Sequence, residues 1–218
     1  MARISILSET GGLAMTNCFL VADEEAKQAV LFDAPDHTVE PLLDAAAERG
    51  WDVVGLWLTH GHFDHLADHK VVTDRFPGAR VLIHELDAPK LREPGSRMFP
   101  LPFTIPPREP DEFVTDGQVL SFGGLSCRVI FTPGHSPGHV MYHFEKEKVV
   151  IGGDLIIGGA IGRVDLPDSD PQAMVRSLRR AMELPDETRL LPGHGEPSTI
   201  GEERRSNPYV RAALAGRP

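Results

Sequence analysis

Apolar residues along this chain recur in two periods, and the switches between them divide it into elements. Short β-branched or aromatic runs bounded by glycine or acidic turns predict strands at 3–7, 18–22 and 29–32. Over 37–49 the spacing lengthens. Val39, Leu42, Leu43 and Ala46 fall on one helical face, and Gly50 follows the end. The run 51–58 reads as a buried strand, 66–76 as a helix stopped by Pro77-Gly78, and 80–83 as a further strand. Strands return within 113–131, joined through Asp116-Gly117 and Gly123-Gly124, and again at 140–144 and 148–151. Residues 171–184 form an amphipathic helix with Pro171 near its start. Met174, Val175, Leu178, Ala181 and Met182 share its apolar face, where methionine is core filler. Strands followed by helix, twice over, predict an α/β protein.

Residues 92–112 break this pattern. Pro94, Pro100, Pro102, Pro106, Pro107 and Pro110 exclude a helix interior or a central strand. Met98, Phe99, Leu101, Phe103 and Ile105 lie between them, and a disordered linker rarely carries so many large apolar groups. An ordered loop is expected, packed against its own domain or a substrate channel, with the segment from Pro94 to Pro110 walling the substrate entrance and Met98, Phe99 or Phe103 facing it.

Composition narrows the class without naming a chemistry. A chain of 218 residues with 41% hydrophobic and 25% charged residues suits one globular domain. A net charge of −10, with no strong Lys/Arg run, argues against nucleic acid and anionic membranes as partners. Arg204-Arg205 stand beside Glu202-Glu203 and read as a solvated helix face. Cys18 and Cys127 have no C-x-x-C spacing and sit in apolar stretches, so both are expected as buried small hydrophobes. No basic leader or membrane-length apolar run stands out, which makes the cytoplasm the expected location.

The chemistry is concentrated in His60-Gly-His62-Phe-Asp64-His65, directly after the strand at 51–58. A folded core has little use for four such side chains in one turn, since each needs a buried partner or solvent. A divalent metal supplies that partner, and imidazole with carboxylate is a ligand set that zinc and the harder first-row metals accept. Three later phrases share the form of an apolar run ending in a glycine-rich turn. They are Val129-Ile-Phe-Thr-Pro-Gly-His135, Val149-Val-Ile-Gly-Gly-Asp154 and Leu190-Leu-Pro-Gly-His194. The four loops offer five histidines and two aspartates, more than the three or four ligands of one catalytic zinc, which points to two metals.

In these motifs the chain resembles the metallo-β-lactamase-fold hydrolases, whose H-x-H-x-D-H motif is followed in order by a single His, a single Asp and a final His. Thr132-Pro-Gly-His-Ser-Pro-Gly-His139, Gly162-Arg-Val-Asp-Leu-Pro167 and the phrase from Gly193 to Pro208 are similar to the short bacterial members of its glyoxalase II-like, hydroxyacylglutathione hydrolase-like branch. The resemblance implies a four-layer αββα sandwich, one domain over 1–218 with no separate C-terminal helical domain, and a site along one edge. It implies His60, His62 and His135 on a first metal, Asp64, His65 and His194 on a second, and Asp154 between them. Two divalent ions are expected, with zinc ahead of iron or manganese. The reaction implied is hydrolysis of an acyl thioester, such as S-D-lactoylglutathione or a related low-molecular-weight thiol ester. Water acidified between the metals attacks the carbonyl, and Asp64 orients it. A mono-iron persulfide dioxygenase, a lactone or β-lactam hydrolase and a non-catalytic metal-binding protein are the alternatives on this scaffold.

Around this core set, Asp33 at an early strand end is expected to hydrogen-bond a ligand histidine. His84 is read as either a similar outer partner or structural. Arg163, paired with Asp165, is read as either a structural ion pair or part of the substrate pocket with Phe99 and Phe103. His37 and His69 are expected on helix surfaces, and His139 and His143 as structural.

Overall fold

Strand β2 (Thr16–Asp23) is buried along its entire length, which a half-exposed antiparallel strand would not be. Its alternate residues face two different cores. Phe19 and Val21 turn to one, and Cys18, Leu20 and Ala22 to the other. The computed structural model describes residues 3–96, 98 and 100–216. In it β1 (Ile4–Gly11), β2, β3 (Gln28–Phe32), β4 (Asp52–Trp57), β5 (Arg80–His84) and β6 (Glu112–Val114) form one six-stranded sheet in that spatial order. A second six-stranded sheet runs β12 (Ser198–Thr199), β11 (Arg189–Pro192), β10 (Val149–Gly153), β9 (Val140–Phe144), β8 (Leu125–Phe131), β7 (Val119–Phe122).

Three apolar layers separate four layers of structure. Between the sheets, Phe32 meets Trp57, Tyr142 and Phe144 edge-on, with ring centroids 5.1–5.9 Å apart. Outside the first sheet, Leu31 and Leu56 pack with Leu42, Leu43 and Ala46 of helix α1 (Glu40–Glu48). Outside the second, Met141 and Val150 pack with Met174, Leu178 and Ala181 of α5 (Pro171–Ala181). Each fully buried Leu, Phe or Met contributes about 1.5–3 kcal/mol. This is the expected αββα sandwich in a single domain. Among the described residues no helix is long and apolar enough to cross a membrane.

Several boundaries differ from the sequence expectation, for local reasons. The first helix begins at Glu40, because His37 adopts a left-handed φ of 54° and Pro41 starts the first turn. The helix expected over 66–76 is two helices, α2 (Phe63–Leu66) and α3 (His69–Arg75). Asp68 between them donates its N–H to Ala34 O and accepts from the Thr38 N–H, so the backbone there serves the neighbouring loop. A short helix α4 (Ala88–Arg92) follows β5. Near the end, α6 (Ile200–Ser206) and α7 (Pro208–Leu214) are separated at Asn207, whose Oδ1 caps α7 through Tyr209 N–H and Val210 N–H. Glu203 does not lie on a solvated face. It is buried and accepts from Asn207 Nδ2 and from the Gly159 N–H.

Strands β3, β4, β5 and β6 are mutually parallel, as are β10 and β11. Helices cross between them on the outer faces, so the carboxyl ends of these strands open on one edge. In such sheets that edge is where loops can converge on a ligand.

Candidate metal centre

Each chemical side chain identified in the sequence leaves a strand at this edge. β3 leads to Asp33, β4 to His60, β8 to His135, β10 to Asp154 and β11 to His194. Gly153 turns the β10 exit with φ +51, and a Cβ there would meet His139 Nε2 and Thr59. Gly193 passes so close that a Cβ would collide with the Asp154 carboxylate and the His65 ring.

The loops bring all seven expected donors together. His60 Nε2 and His62 Nδ1 are 3.1 Å apart, and His62 Nδ1 and His135 Nε2 are 2.8 Å apart. His65 Nε2 lies 3.5 Å from Asp64 Oδ2 and 3.4 Å from Asp154 Oδ1. His194 Nε2 lies 3.4 Å from Asp64 Oδ2 and 3.3 Å from Asp154 Oδ2, which is 3.4 Å from His135 Nε2. Three overlapping groups, His60/His62/His135, His60/His65/Asp154 and Asp64/His65/His194, could each hold an ion. Donor atoms around a tetrahedral ion with bonds of about 2.0–2.1 Å stand about 3.3 Å apart, which the 3.3–3.5 Å spacings around His65, Asp64, Asp154 and His194 match, while His62 and His135 stand closer.

A second observation supports that fit. His65 Nε2 and Asp154 Oδ1 are both fully buried and have no hydrogen-bond partner. Leaving two such atoms unsatisfied side by side costs about 1–3 kcal/mol each or more, a penalty that cations removes by coordination. Electrostatics agrees. Burial raises the Asp64 carboxyl, but the His65 and His194 imidazoles outweigh it and bring it down to about 2. Asp154 is likewise held well below the carboxylate range by His65, His194 and His135, against complete burial. Burial and the surrounding imidazoles push His60 below its ordinary value. Metal-free, His194 rises to about 9, because its bonds to Asp154 and Asp64 exceed the effect of burial. The residues present therefore fit divalent metal.

Outer contacts fix the rings. His65 Nδ1 donates to Asp33 Oδ2 at 2.8 Å, as expected of Asp33. Thr59 donates both its N–H and its hydroxyl to Asp33, and His60 Nδ1 is 3.0 Å from that hydroxyl. One carboxylate thus orients two histidines. His135 Nδ1 donates to Arg163 O at 2.9 Å and His194 Nδ1 to Met15 O at 3.3 Å. Asp64 Oδ2 accepts from Thr16 Oγ1 at 2.8 Å.

Two further outer positions differ from the sequence expectation, since His139 was expected only as structural and Asp87 was not singled out. His139 accepts the Asp154 N–H at Nε2, 2.9 Å away, and its Nδ1 faces Thr132 Oγ1. Burial lowers it to about 3, so it stays neutral and able to accept. Its spacing from His135 was the available signal. Asp87 is completely buried and accepts from Gly61 N–H, Gly138 N–H and Ser136 Oγ, joining two ligand loops. Nothing local marks Asp87, because the groups it joins are distant in sequence.

A cleft of about 580 Å³ opens over the cluster, lined by Ala14, Phe63, Lys90, Met98, Arg163 and Leu166 among others. Arg163 is held by Asp165 through Nε and Nη2 at 2.8 Å each, while Nη1 approaches Met98 Sδ at 3.6 Å. Met98 therefore faces the cleft as expected. Phe103 does not. It packs against the α1-side core, with its ring centroid 6.0 Å from that of His37. Phe99 lies outside the described residues. His84 is not an outer partner of the cluster either. Its ring stacks on Phe131 and its Nδ1 accepts from the Leu86 N–H. His69 is not on the surface but buried, donating through Nε2 to Pro106 O at 2.8 Å.

With fold and site in view, the chain belongs to the metallo-beta-lactamase superfamily, whose family model matches residues 11–194. Within that class of metallo-hydrolases it is similar to hydroxyacylglutathione hydrolase GloC of Haemophilus influenzae, 34% identical over 201 residues that cover 90% of this chain and 93% of that one. Among solved structures it is similar to BLEG-1 B3 metallo-beta-lactamase, with a TM-score of 0.87 and 31% identity over 94% of this chain and 99% of that one. TTHA1623 in a di-iron-bound form gives a TM-score of 0.81 and 35% identity over 93% and 99%.

Proposed function

We propose that this protein is a two-metal hydrolase of acyl thioesters, acting on a 2-hydroxyacyl ester of glutathione or of a similar low-molecular-weight thiol. The observation that carries the reading is the complete set of seven donors, two of which, His65 Nε2 and Asp154 Oδ1, are buried without a hydrogen bond. The similarity to a hydroxyacylglutathione hydrolase across 90% of the chain supports the substrate class.

His60, His62 and His135 would hold one ion, Asp64, His65 and His194 the other, and Asp154 both. When bound, two such ions acidify water toward neutral pKa and polarise a carbonyl oxygen. The chain's own residues do the rest. Asp64 is ionised at neutral pH, its Oδ2 is anchored by Thr16, and it lines the cleft, where it accepts a hydrogen bond from the attacking water. Asp33 keeps His60 and His65 turned inward through their Nδ1 atoms. Phe63, Met98 and Leu166 offer apolar contact to the ester. The Arg163 guanidinium, locked by Asp165, presents Nη1 to a carbonyl or carboxylate of the thiol portion. A thiolate with a pKa near ~8.5 leaves without a strong general acid, so the site needs none.

The test is metal analysis combined with a panel of S-D-lactoylglutathione, a lactone, a β-lactam and glutathione persulfide. Two metals per chain and thioester turnover are expected. Asp64→Asn should lower kcat by about 100-fold or more, in the range for a positioned acid–base group. A single metal at full activity, or oxygen consumption with persulfide, would overturn the reading.

A further inference from the structure

Four of the five cluster histidines share one arrangement, with Nε2 facing the cluster and Nδ1 bonded outward to Thr59, Asp33, Arg163 or Met15. His62 is reversed. Its Nδ1 faces His60 and His135, which leaves Nε2 pointing away. The carboxylate it meets there is Asp168, with Oδ1 at 3.9 Å. Asp168 is not placed by chance. Lys90 Nζ holds its other oxygen at 2.7 Å and, with the same ammonium, Asp87 Oδ1 at 2.8 Å. Asp87 Oδ2 in turn accepts from the Gly61 N–H, between His60 and His62, and from Ser136 Oγ, next to His135. The approach is tight, since a Cβ on Gly61 would stand 2.8 Å from Asp87 O and 2.9 Å from Lys90 Cβ. Asp87, Lys90 and Asp168 therefore form a continuous frame around the trio His60, His62 and His135.

We propose that Asp168, held by Lys90, is the outer partner of His62 and a positioning residue for the first of the two metals. This rests on the metal-site reading above but not on the identity of the substrate. At 3.9 Å the contact is about 1 Å longer than a hydrogen bond. The metal-free spacing of 2.8 Å between His62 Nδ1 and His135 Nε2 is shorter than the roughly 3.3 Å between donors of a tetrahedral ion. His62 Nε2 lies on the side of the ring away from His135, so a wider gap taken up by His62 would carry Nε2 toward Asp168. Both Lys90 and Asp168 also line the cleft, so the frame that sets His62 forms part of the substrate wall.

The experiment is a chelator-competition titration with zinc on the full chain, wild type against Asp168→Asn and Asp168→Glu, read together with the ring ¹⁵N–¹H signal of His62 in the zinc-loaded protein. One of two zinc affinities should fall about 10–100-fold in Asp168→Asn, with the other unchanged and the His62 signal displaced. Asp168→Glu should recover part of both effects. The side chain of Asp168 is 21% exposed, and Asp168→Ala gives the same test should the Asn variant fold poorly. Zinc affinities within twofold of wild type and an unmoved His62 signal would show that Asp168 serves only as an ion-pair partner of Lys90. Wild-type chain that takes up no zinc overturns the metal-site reading and this proposal together. Loss of thioester activity with intact zinc binding touches neither the frame nor His62.

Discussion

The metal cluster and the cleft wall over 92–112 share one edge of the molecule and are built by opposite means. In the cluster the side chains follow the ends of strands, and four of the five rings are bonded from behind, as His65 is by Asp33, while His139 holds the Asp154 backbone. In the wall, prolines remove backbone donors, and among the described residues the main-chain bonds include Arg108 N–H to Leu91 O and Asp111 N–H to Val81 O. Side chains do the holding there, with Ile105 buried and Leu101 and Phe103 packed against the same core. Chemistry is thus set by bonded groups and the neighbouring wall by packing, which suits a site whose reaction is fixed by a few side chains and whose ligand contacts come from apolar ones.

The largest effect should come from the one residue both ions would share. Asp154→Ala removes a buried carboxylate that lies 3.3–3.4 Å from His65, His135 and His194 at once. Loss of an outer partner costs about 10–100-fold in metal affinity, and loss of a bridging donor should exceed that at both sites. Metal content per chain, measured after dialysis against a weak chelator, should fall for both ions, and turnover with it. Loss of only one ion would break the comparison, because Asp154 would then belong to one half of the cluster.

That contrast also decides what could be read from sequence. His60, His62, Asp64, His65, His135, Asp154 and His194 were legible because each stands in a short phrase at a strand end, and strand periodicity places those ends together. The sandwich was legible for the same reason. Asp87 and Asp168 were not, since their meaning arises only when Gly61, Lys90, Ser136 and His62 come together from separate loops. In the proline-rich segment, apolar content foretold order but not direction. Met98 and Phe103 differ in destination through long-range packing that no local period encodes.

A pair of substitutions in the wall sharpens the comparison at intermediate size. Met98 is 51% exposed and faces the cleft, so Met98→Ala should raise KM about 3–10-fold with little change in melting temperature. Phe103 is half-buried against the core, and Phe103→Ala should cost about 1–2 kcal/mol of stability while KM stays unchanged. Thermal unfolding and steady-state kinetics on both variants check this. A rise in KM from Phe103→Ala would mean that the two halves of the wall move as one.

The smallest effect concerns how the wall is tied down. His69 donates to Pro106 O from a buried position, and its Nδ1 is buried with no hydrogen-bond partner. Burial lowers its pKa below 6.5, so the folded chain keeps the ring neutral where the unfolded chain begins to protonate it. Below about pH 6.5 the unfolded state then binds more protons than the folded one, and stability rises with pH. The contribution is complete above about pH 6.5 and is lost as pH falls from there toward the folded value, at no more than about 1.4 kcal/mol per pH unit for one proton. His69→Gln can still donate to Pro106 O but cannot titrate. Melting temperatures measured from about pH 7.5 down to 5.5 should therefore show wild type losing more than His69→Gln, with metal loaded equally in both. Parallel losses would mean that the ring protonates in place, and that the Pro106 contact is wet enough to accept the charge.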